Sequence, residues 1–287
     1  MIWLDTIAQG ILLGGLYALF AAGLSLVFGI MRLVNLAHGD LIVLAAFVIL
    51  TAMSVFGINP FVAVLIAVPI MFGLGWLLQT YLFNRVLGED ILPPLLVTFG
   101  LSVVIQNVLL EVYTADSQKL TAGSIEAQSL ELGPLTLGVM PLLTLGTAVA
   151  VIFGLNQLFY RTRLGRAFRA TSDDAATAEL MGIKPSRVFA IATGLALAVA
   201  AIAALYLGIR ANFDPTIGPA RLLYAFEAVI IGGLGSLWGT LAGGIIIGLS
   251  QAIGAAINPE WQILSGHIAF VVVLLIKPRG LFPRSND

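Results

Sequence analysis

The chain has 287 residues, 59% of them hydrophobic and 10% charged, with a mean hydropathy of +1.03. Soluble domains carry about 25% charged residues, so this composition excludes a soluble enzyme and describes a membrane protein. The net charge of −1 leaves no basic surplus for a phosphate backbone and excludes nucleic acid as a partner, while the absence of cysteine removes disulfides, thiolate catalysis and Cys-based metal sites.

The first residues, MIWLD, lack the basic stretch of a secretory signal, and the apolar run after them continues to Phe28, so it reads as a retained first span. A helix needs about 20 apolar residues to cross a bilayer core. The sequence offers such spans near 6–29, 40–56, 60–83, 92–113, 140–160, 188–209, 223–249 and 262–276. The run from Val188 to Ile209 is uncharged and rich in Ala and Leu, unlike the alternating segments of a barrel. The expected fold is all-α: one polytopic transmembrane helical bundle over 1–287, embedded in the lipid bilayer, with about eight membrane segments.

Between the first two runs lies Asn35-Leu36-Ala37-His38-Gly39-Asp40, which predicts a broken or re-entrant piece near 30–40. His38 and Asp40 are wrongly spaced for one helix face. They read as a helix start, with the carboxylate at its positive end and Arg32 nearby to neutralise it. Ionisable groups at membrane depth are also candidates for function. In the fourth span, Thr98, Ser102 and Gln106 recur at i, i+4 with Asn107 beside them, a polar face that either lines a wet path or bonds between helices. Asn35, His38, Thr98, Ser102 and Gln106 form the candidate translocation path. Amides, hydroxyls and one imidazole, without paired arginines, suit a neutral or zwitterionic solute better than a phosphate or dicarboxylate.

The loop 114–139 holds Asp116, Glu126 and Glu131 against one cation, Lys119, and contains two alternating runs around Gly133-Pro134 that predict a β-hairpin over 130–137. The loop 161–187 carries Arg161, Arg163, Arg166, Arg169, Lys184 and Arg187, so it faces the cytoplasm and 114–139 faces outward. Arg32 and Arg85 then fall inside. Within 161–187 a short helix is expected over 173–181, capped by Ser172 or Thr171, with Asp173 and Asp174 in its first turn and Gly182 and Pro185 marking its end. At that length it needs a surface to pack on, its own bundle or a cytosolic partner.

If 223–249 crossed once, the tail bearing Lys277, Arg279 and Arg284 would lie outside, against the same rule. Gly232, Gly233 and Gly235 mark a helix break, which makes 224–238 a re-entrant or half-spanning piece and returns the tail to the cytoplasm. The interruption pairs with the one near 30–40, a hint of an internal repeat. Glu227 reads as an interfacial residue or a partner of Arg221. Glycines four apart, at Gly10/Gly14, Gly235/Gly239/Gly243 and Gly244/Gly248, make smooth faces for packing within the bundle or against another subunit. No P-loop is present, since Lys119, Lys184 and Lys277 follow Gln118, Ile183 and Ile276, and no His/Glu metal spacing or nucleophile-base pair appears.

Three stretches in combination, Gly29 to Asp40, Gly165 to Ile183 and Gly232 to Gly239, resemble the permease family of the branched-chain amino acid ABC importers, specifically the shorter of its two paralogous membrane subunits. The resemblance covers nearly the whole chain. It implies that 170–183 is a coupling helix seated in a groove of an ATPase subunit, with Arg169, Ala170, Asp173, Asp174, Ala178, Glu179 and Gly182 as the coupling residues. It further implies a second homologous permease subunit, two ABC ATPase subunits carrying ATP and Mg, an extracytoplasmic substrate-binding protein, and the inner membrane of a prokaryote, with no cofactor and no catalytic residue on this chain. The segment 172–178 departs from the family, which often has Gln, Asn or Glu before the acidic residue and Pro or Glu after it; this bears on ATPase contacts and not on the loop's role. Branched-chain or other neutral amino acids are the implied cargo. Urea or short amides, and an ATP-independent channel or secondary transporter, are the alternatives.

Overall fold

The computed structural model describes residues 2–88, 90–132 and 135–282. In chain order it contains α1 (Ile2–Met31), α2 (His38–Phe56), α3 (Pro60–Tyr81), α4 (Leu92–Tyr113), β1 (Ser129–Leu132), β2 (Leu135–Gly138), α5 (Val139–Arg161), α6 (Arg163–Asp173), α7 (Ala175–Leu180), α8 (Pro185–Arg210), α9 (Gly218–Gly232), α10 (Leu237–Ile257) and α11 (Trp261–Ile276). Seven of these, α1 to α5, α8 and α10, are long and apolar enough to cross a membrane. The fold is the expected polytopic helical bundle, and β1 and β2 form the expected hairpin, Leu130 opposite Leu137. Its Gly133-Pro134 turn lies outside the described residues, as does Arg284.

α1 and α8 run through the centre. Lipid offers helices no hydrophobic drive to associate, so contact depends on close backbone approach across small residues. A Cβ on Gly14 would stand 2.4 Å from the Ile245 Cα and one on Gly248 2.4 Å from the Gly10 carbonyl oxygen, which leaves α1 and α10 in antiparallel backbone contact. The Gly10/Gly14 and Gly244/Gly248 spacings therefore serve packing inside this chain. α3 is held to α8 by a buried bond, Thr193 Oγ1 donating to Gln79 Oε1 at 2.7 Å. α4 stands apart: it packs on α2 and leaves Leu96, Phe99, Val104, Val108 and Val112 exposed.

The expected break within 223–249 is present: the segment forms two antiparallel helices, α9 and α10, joined by a tight turn. Gly233 and Gly235 adopt φ of +103° and +79° there, a region that side chains with a Cβ rarely enter. α9 has 15 residues, too few to span. Its last carbonyls accept from the tail, Ile231 O from Leu281 N at 2.8 Å and Gly232 O from Phe282 N at 3.0 Å. Gly235 also abuts Gly29 at the end of α1. The turn, Arg32, the loop 161–187 and the tail with Lys277 and Arg279 therefore share one end of the bundle. At the other end the loop 114–139 is tied to the α8–α9 connection, Gln118 bridging Phe213, and Lys119 pairs with Glu126 at 3.1 Å. The Ala122 N–H and the Lys119 ammonium hold the Glu126 carboxyl below the usual carboxylate range.

The second interruption is also present. Residues 32–35 are non-helical, a turn follows at 36–37, and α2 starts at His38. His38 lies deep inside, its Nε2 2.9 Å from the Phe20 carbonyl oxygen, and a Cβ on Gly23 would meet both the His38 ring and the Ala196 carbonyl at the middle of α8. The chain thus leaves the basic end of α1, re-enters to mid-depth, and only then begins α2.

Candidate functional site

Two interrupted helices meet at mid-depth. Asp40 sits in the first turn of α2, and the start of α9 lies against it: a Cβ on Gly218 would stand 2.0 Å from Asp40 Oδ1. Helix N-termini favour negative charge, and this carboxylate has two within reach. Across from them, α4 supplies the remaining donors. Ser102 Oγ donates to Asp40 Oδ2 at 2.6 Å and Gln106 Nε2 to Asp40 Oδ1 at 3.0 Å, with Gln106 Nε2 also 3.2 Å from Ser102 Oγ. Asp40 is buried and holds α4 to the bundle through hydrogen bonds to a charge-bearing group, the stronger class of such bonds.

The expected polar face of α4 therefore exists, and it closes on a residue that the spacing argument leaves out of the path. Asp40 stands at a helix start as expected, but it makes no cap bond: Ala37 is the N-cap residue, with no side-chain cap bond, and the Asp40 carboxylate reaches to α4. The other candidates point elsewhere. Thr98 Oγ1 donates to Leu95 O within its own helix at 3.1 Å. Asn35 Oδ1 accepts from Ala37 N at 3.0 Å and shapes the turn into α2. His38 is turned to α1.

Glu227 bonds to His267 Nδ1 on α11, correcting its expected partner Arg221. Residues 221 and 227 are six apart and lie on different faces of α9, whereas three or four would align them. His267 also stacks on Tyr224, their ring centroids 6.3 Å apart, and Tyr224 on Tyr17 at 4.9 Å, so this pair ties α9 to α1 and α11.

At the basic end the loop 161–187 forms two helices instead of one. α6 starts from Thr162, whose Oγ1 accepts from Gly165 N at 3.0 Å, and folds back on α5 with Phe168 fully buried against Phe159. Arg169 donates to Phe159 O and lies over the Tyr160 ring at 5.4 Å. Ser172 Oγ donates to Gly29 O at 2.8 Å. The expected helix over 173–181 is corrected to α7, six residues capped by Asp174 and not by Ser172 or Thr171. Asp174 Oδ1 accepts from Ala176 N and Thr177 N at 3.0 Å each, and Oδ2 accepts from Thr177 Oγ1 at 2.6 Å. These bonds, the Thr177 hydroxyl foremost, hold its carboxyl below the usual range.

The far end of α7 is closed as expected at Gly182, with φ +84°. Ile183 N donates to Ala178 O and Gly182 N to Glu179 O, the paired bonds of a Schellman cap. Of the seven coupling candidates, Arg169, Ala170 and Asp173 belong to α6, Asp174 to the joint between the helices, Ala178 and Glu179 to α7, and Gly182 to its cap. The most exposed apolar side chains of the loop are two that spacing did not single out, Leu180 at 87% and Met181 at 79%.

Comparison with known proteins agrees with this architecture. The chain is 30% identical to the high-affinity branched-chain amino acid transport system permease protein LivH of Escherichia coli (strain K12), over 98% of this chain and 96% of that one. It is 28% identical, with the same coverage, to the corresponding protein BraD of Pseudomonas aeruginosa. Half of the chain also matches the permease protein LivM of Salmonella typhimurium, at 25% identity over 34% of that protein. Residues 6–276 match the family described as Branched-chain amino acid transport system / permease component, and the chain belongs to that family.

Proposed function

We propose that this chain is the membrane-spanning permease subunit of an ATP-driven importer of branched-chain or other neutral amino acids in the inner membrane of a prokaryote, its basic end in the cytoplasm. The observation that carries this reading is α7: in a polar, arginine-rich loop, a helix too short to be stable alone is closed at both ends and projects Leu180 and Met181 away from the bundle, while α6 beside it is pinned to α1 and α5. Exposed apolar side chains on a rigid projection suit docking into a groove on an ATPase subunit. The half-length match to LivM supports a second homologous permease as neighbour, with the solute passing between the two. An extracytoplasmic binding protein would deliver it to the end that carries the hairpin.

In this mechanism ATP and Mg act on two ATPase subunits and no bond chemistry occurs in this chain. Movement of α7 reaches α6, then Gly29 O on α1 and Phe159 O on α5. Because α1 and α10 are in backbone contact they shift together, and the interruptions at 32–37 and 233–236 are the joints at which the rest can lag. The Asp40 cluster sits at the first of these joints.

Uptake of labelled leucine in cells carrying or lacking the gene tests this, with valine, alanine, glutamate and urea as competitors. Saturable, ATP-dependent uptake relieved only by neutral amino acids is expected; competition by urea alone, or uptake without ATP, would defeat it. Gly182→Val probes the coupling step. A β-branched residue held at positive φ costs about 1–3 kcal/mol, so the α7 cap should open and leucine-stimulated ATP hydrolysis should fall several-fold while the permease remains assembled. Unchanged uptake and hydrolysis would show the cap to be irrelevant.

A further inference from the structure

A cavity of about 330 Å³ opens at the end of the bundle opposite the basic one, between the first turns of α5, the last turn of α8 and the loop 114–139. The loop is laid across the end of α8, where Leu120 N donates to Gly208 O at 2.9 Å. Lys119 and Glu126 thereby line the same cavity as Arg210, the last residue of α8. All three side chains are accessible: Arg210 is exposed, and Lys119 and Glu126 keep 44% and 22% of their side-chain surface. Arg210 makes no hydrogen bond and no ion pair with any described residue, so its guanidinium donors are free for a ligand. Glu126 accepts from Lys119 Nζ at 3.1 Å and from the Ala122 N–H, and these bonds keep it ionised. A carboxylate has about four acceptor sites, so it has room for a further donor. Lys119 is committed to Glu126, which leaves one uncommitted cation, enough for a single carboxylate. The rest of the wall is largely apolar, with Met140, Pro141 and Ile209.

We propose that this cavity binds a zwitterionic, aliphatic amino acid on the outer side of the membrane, its carboxylate on Arg210, its ammonium on Glu126 and its side chain against Met140, Pro141 and Ile209. The planar guanidinium fork matches a carboxylate bidentately, and the carboxylate of Glu126 distinguishes an amino acid from a simple organic anion. The assignment rests on the importer reading above and adds to it a place in this chain where the solute is held before it enters the bundle. A seated solute also bridges the loop 114–139 to α8.

The test uses the assembled transporter in phosphatidylglycerol nanodiscs, with no binding protein added, and labelled leucine detected by scintillation proximity. Leucine should bind saturably. Isocaproate, which lacks the ammonium, and isoamylamine, which lacks the carboxylate, should compete at least about tenfold less well, since each forgoes hydrogen bonds to a charged group. Arg210→Gln and Glu126→Gln should each weaken leucine to about the same extent. Gln at 126 keeps an acceptor for the Ala122 N–H, and Arg210 holds no other group in place, so both variants should assemble. Arg187→Gln, at the opposite end, should bind as the wild type does. Unchanged binding in both cavity variants, or competition by isocaproate equal to that by leucine, overturns the site. Phosphatidylethanolamine carries the same pair of charges, so the titration is repeated with that lipid in the disc; loss of leucine binding would make the occupant a headgroup and overturn the proposal as well. Leucine uptake by cells judges the importer reading separately. ATP-dependent uptake that survives Arg210→Gln, together with unchanged leucine binding, would remove this cavity and leave that reading standing.

Discussion

Gly232→Ala should abolish ATP-driven uptake and sharply reduce the yield of assembled permease. A Cβ at this position would stand 2.1 Å from the Gly239 carbonyl oxygen and 2.6 Å from Thr240 N, and one on Gly239 would in turn meet Gly232 O at 2.2 Å. These are backbone atoms of the facing helix, so no rotamer change makes room and α9 must separate from α10. Overpacking a well-packed core costs about 1–3 kcal/mol and occasionally more. Here the displaced helix end also carries the carbonyl that receives Phe282 N. Gly146→Ala is the matching control: it too replaces a helical glycine, with nothing within 4 Å of the new methyl, and should leave uptake and melting temperature as they are. Wild-type uptake by Gly232→Ala would mean that the α9–α10 contact is looser than described.

The second large effect is expected at Asp40. Asp40→Leu strands the buried Ser102 hydroxyl and leaves the half-buried Gln106 amide with Ser102 Oγ alone; a buried donor left without an acceptor costs about 1–3 kcal/mol. Because α4 has little other attachment, it should detach from α2, with uptake falling at least about tenfold. Asp40→Asn keeps one acceptor and should be intermediate. The triple variant Asp40→Leu, Ser102→Ala, Gln106→Leu separates packing from transport, since replacing all partners of a buried polar cluster by apolar groups is often close to neutral for stability. Its melting temperature should recover while uptake does not. Recovery of uptake as well would reduce the cluster to a clasp.

The helices were legible because span length and uncharged runs are local properties, and the charge asymmetry of the loops sufficed to show that 223–249 was not one crossing. What spacing could not reveal is which distant group a side chain finds. Ser102 and Gln106 share a face by helical arithmetic, yet their common acceptor lies more than 60 residues away on α2. The cap of the short helix α7 differs for the same reason: Ser172, an acceptable N-cap by type, is drawn to Gly29 O, 143 residues distant, and Asp174 serves instead. Arg221 and Glu227, six residues apart, lie on different faces of α9, so Glu227 finds its partner on α11 instead.

The hydrogen bonds from Leu281 and Phe282 to the end of α9 also bear on how the protein is made. The last carbonyls of α9, at the basic end of the bundle, have no partner within their own helix and need donors from elsewhere. The acceptors at 231 and 232 wait for donors 50 positions later in the chain, after α10 and α11 have emerged. During synthesis α9 is therefore a dependent element, unfinished until translation has passed residue 282. A ribosome stalled after α10 should leave α9 protease-sensitive, and release of the tail should protect it.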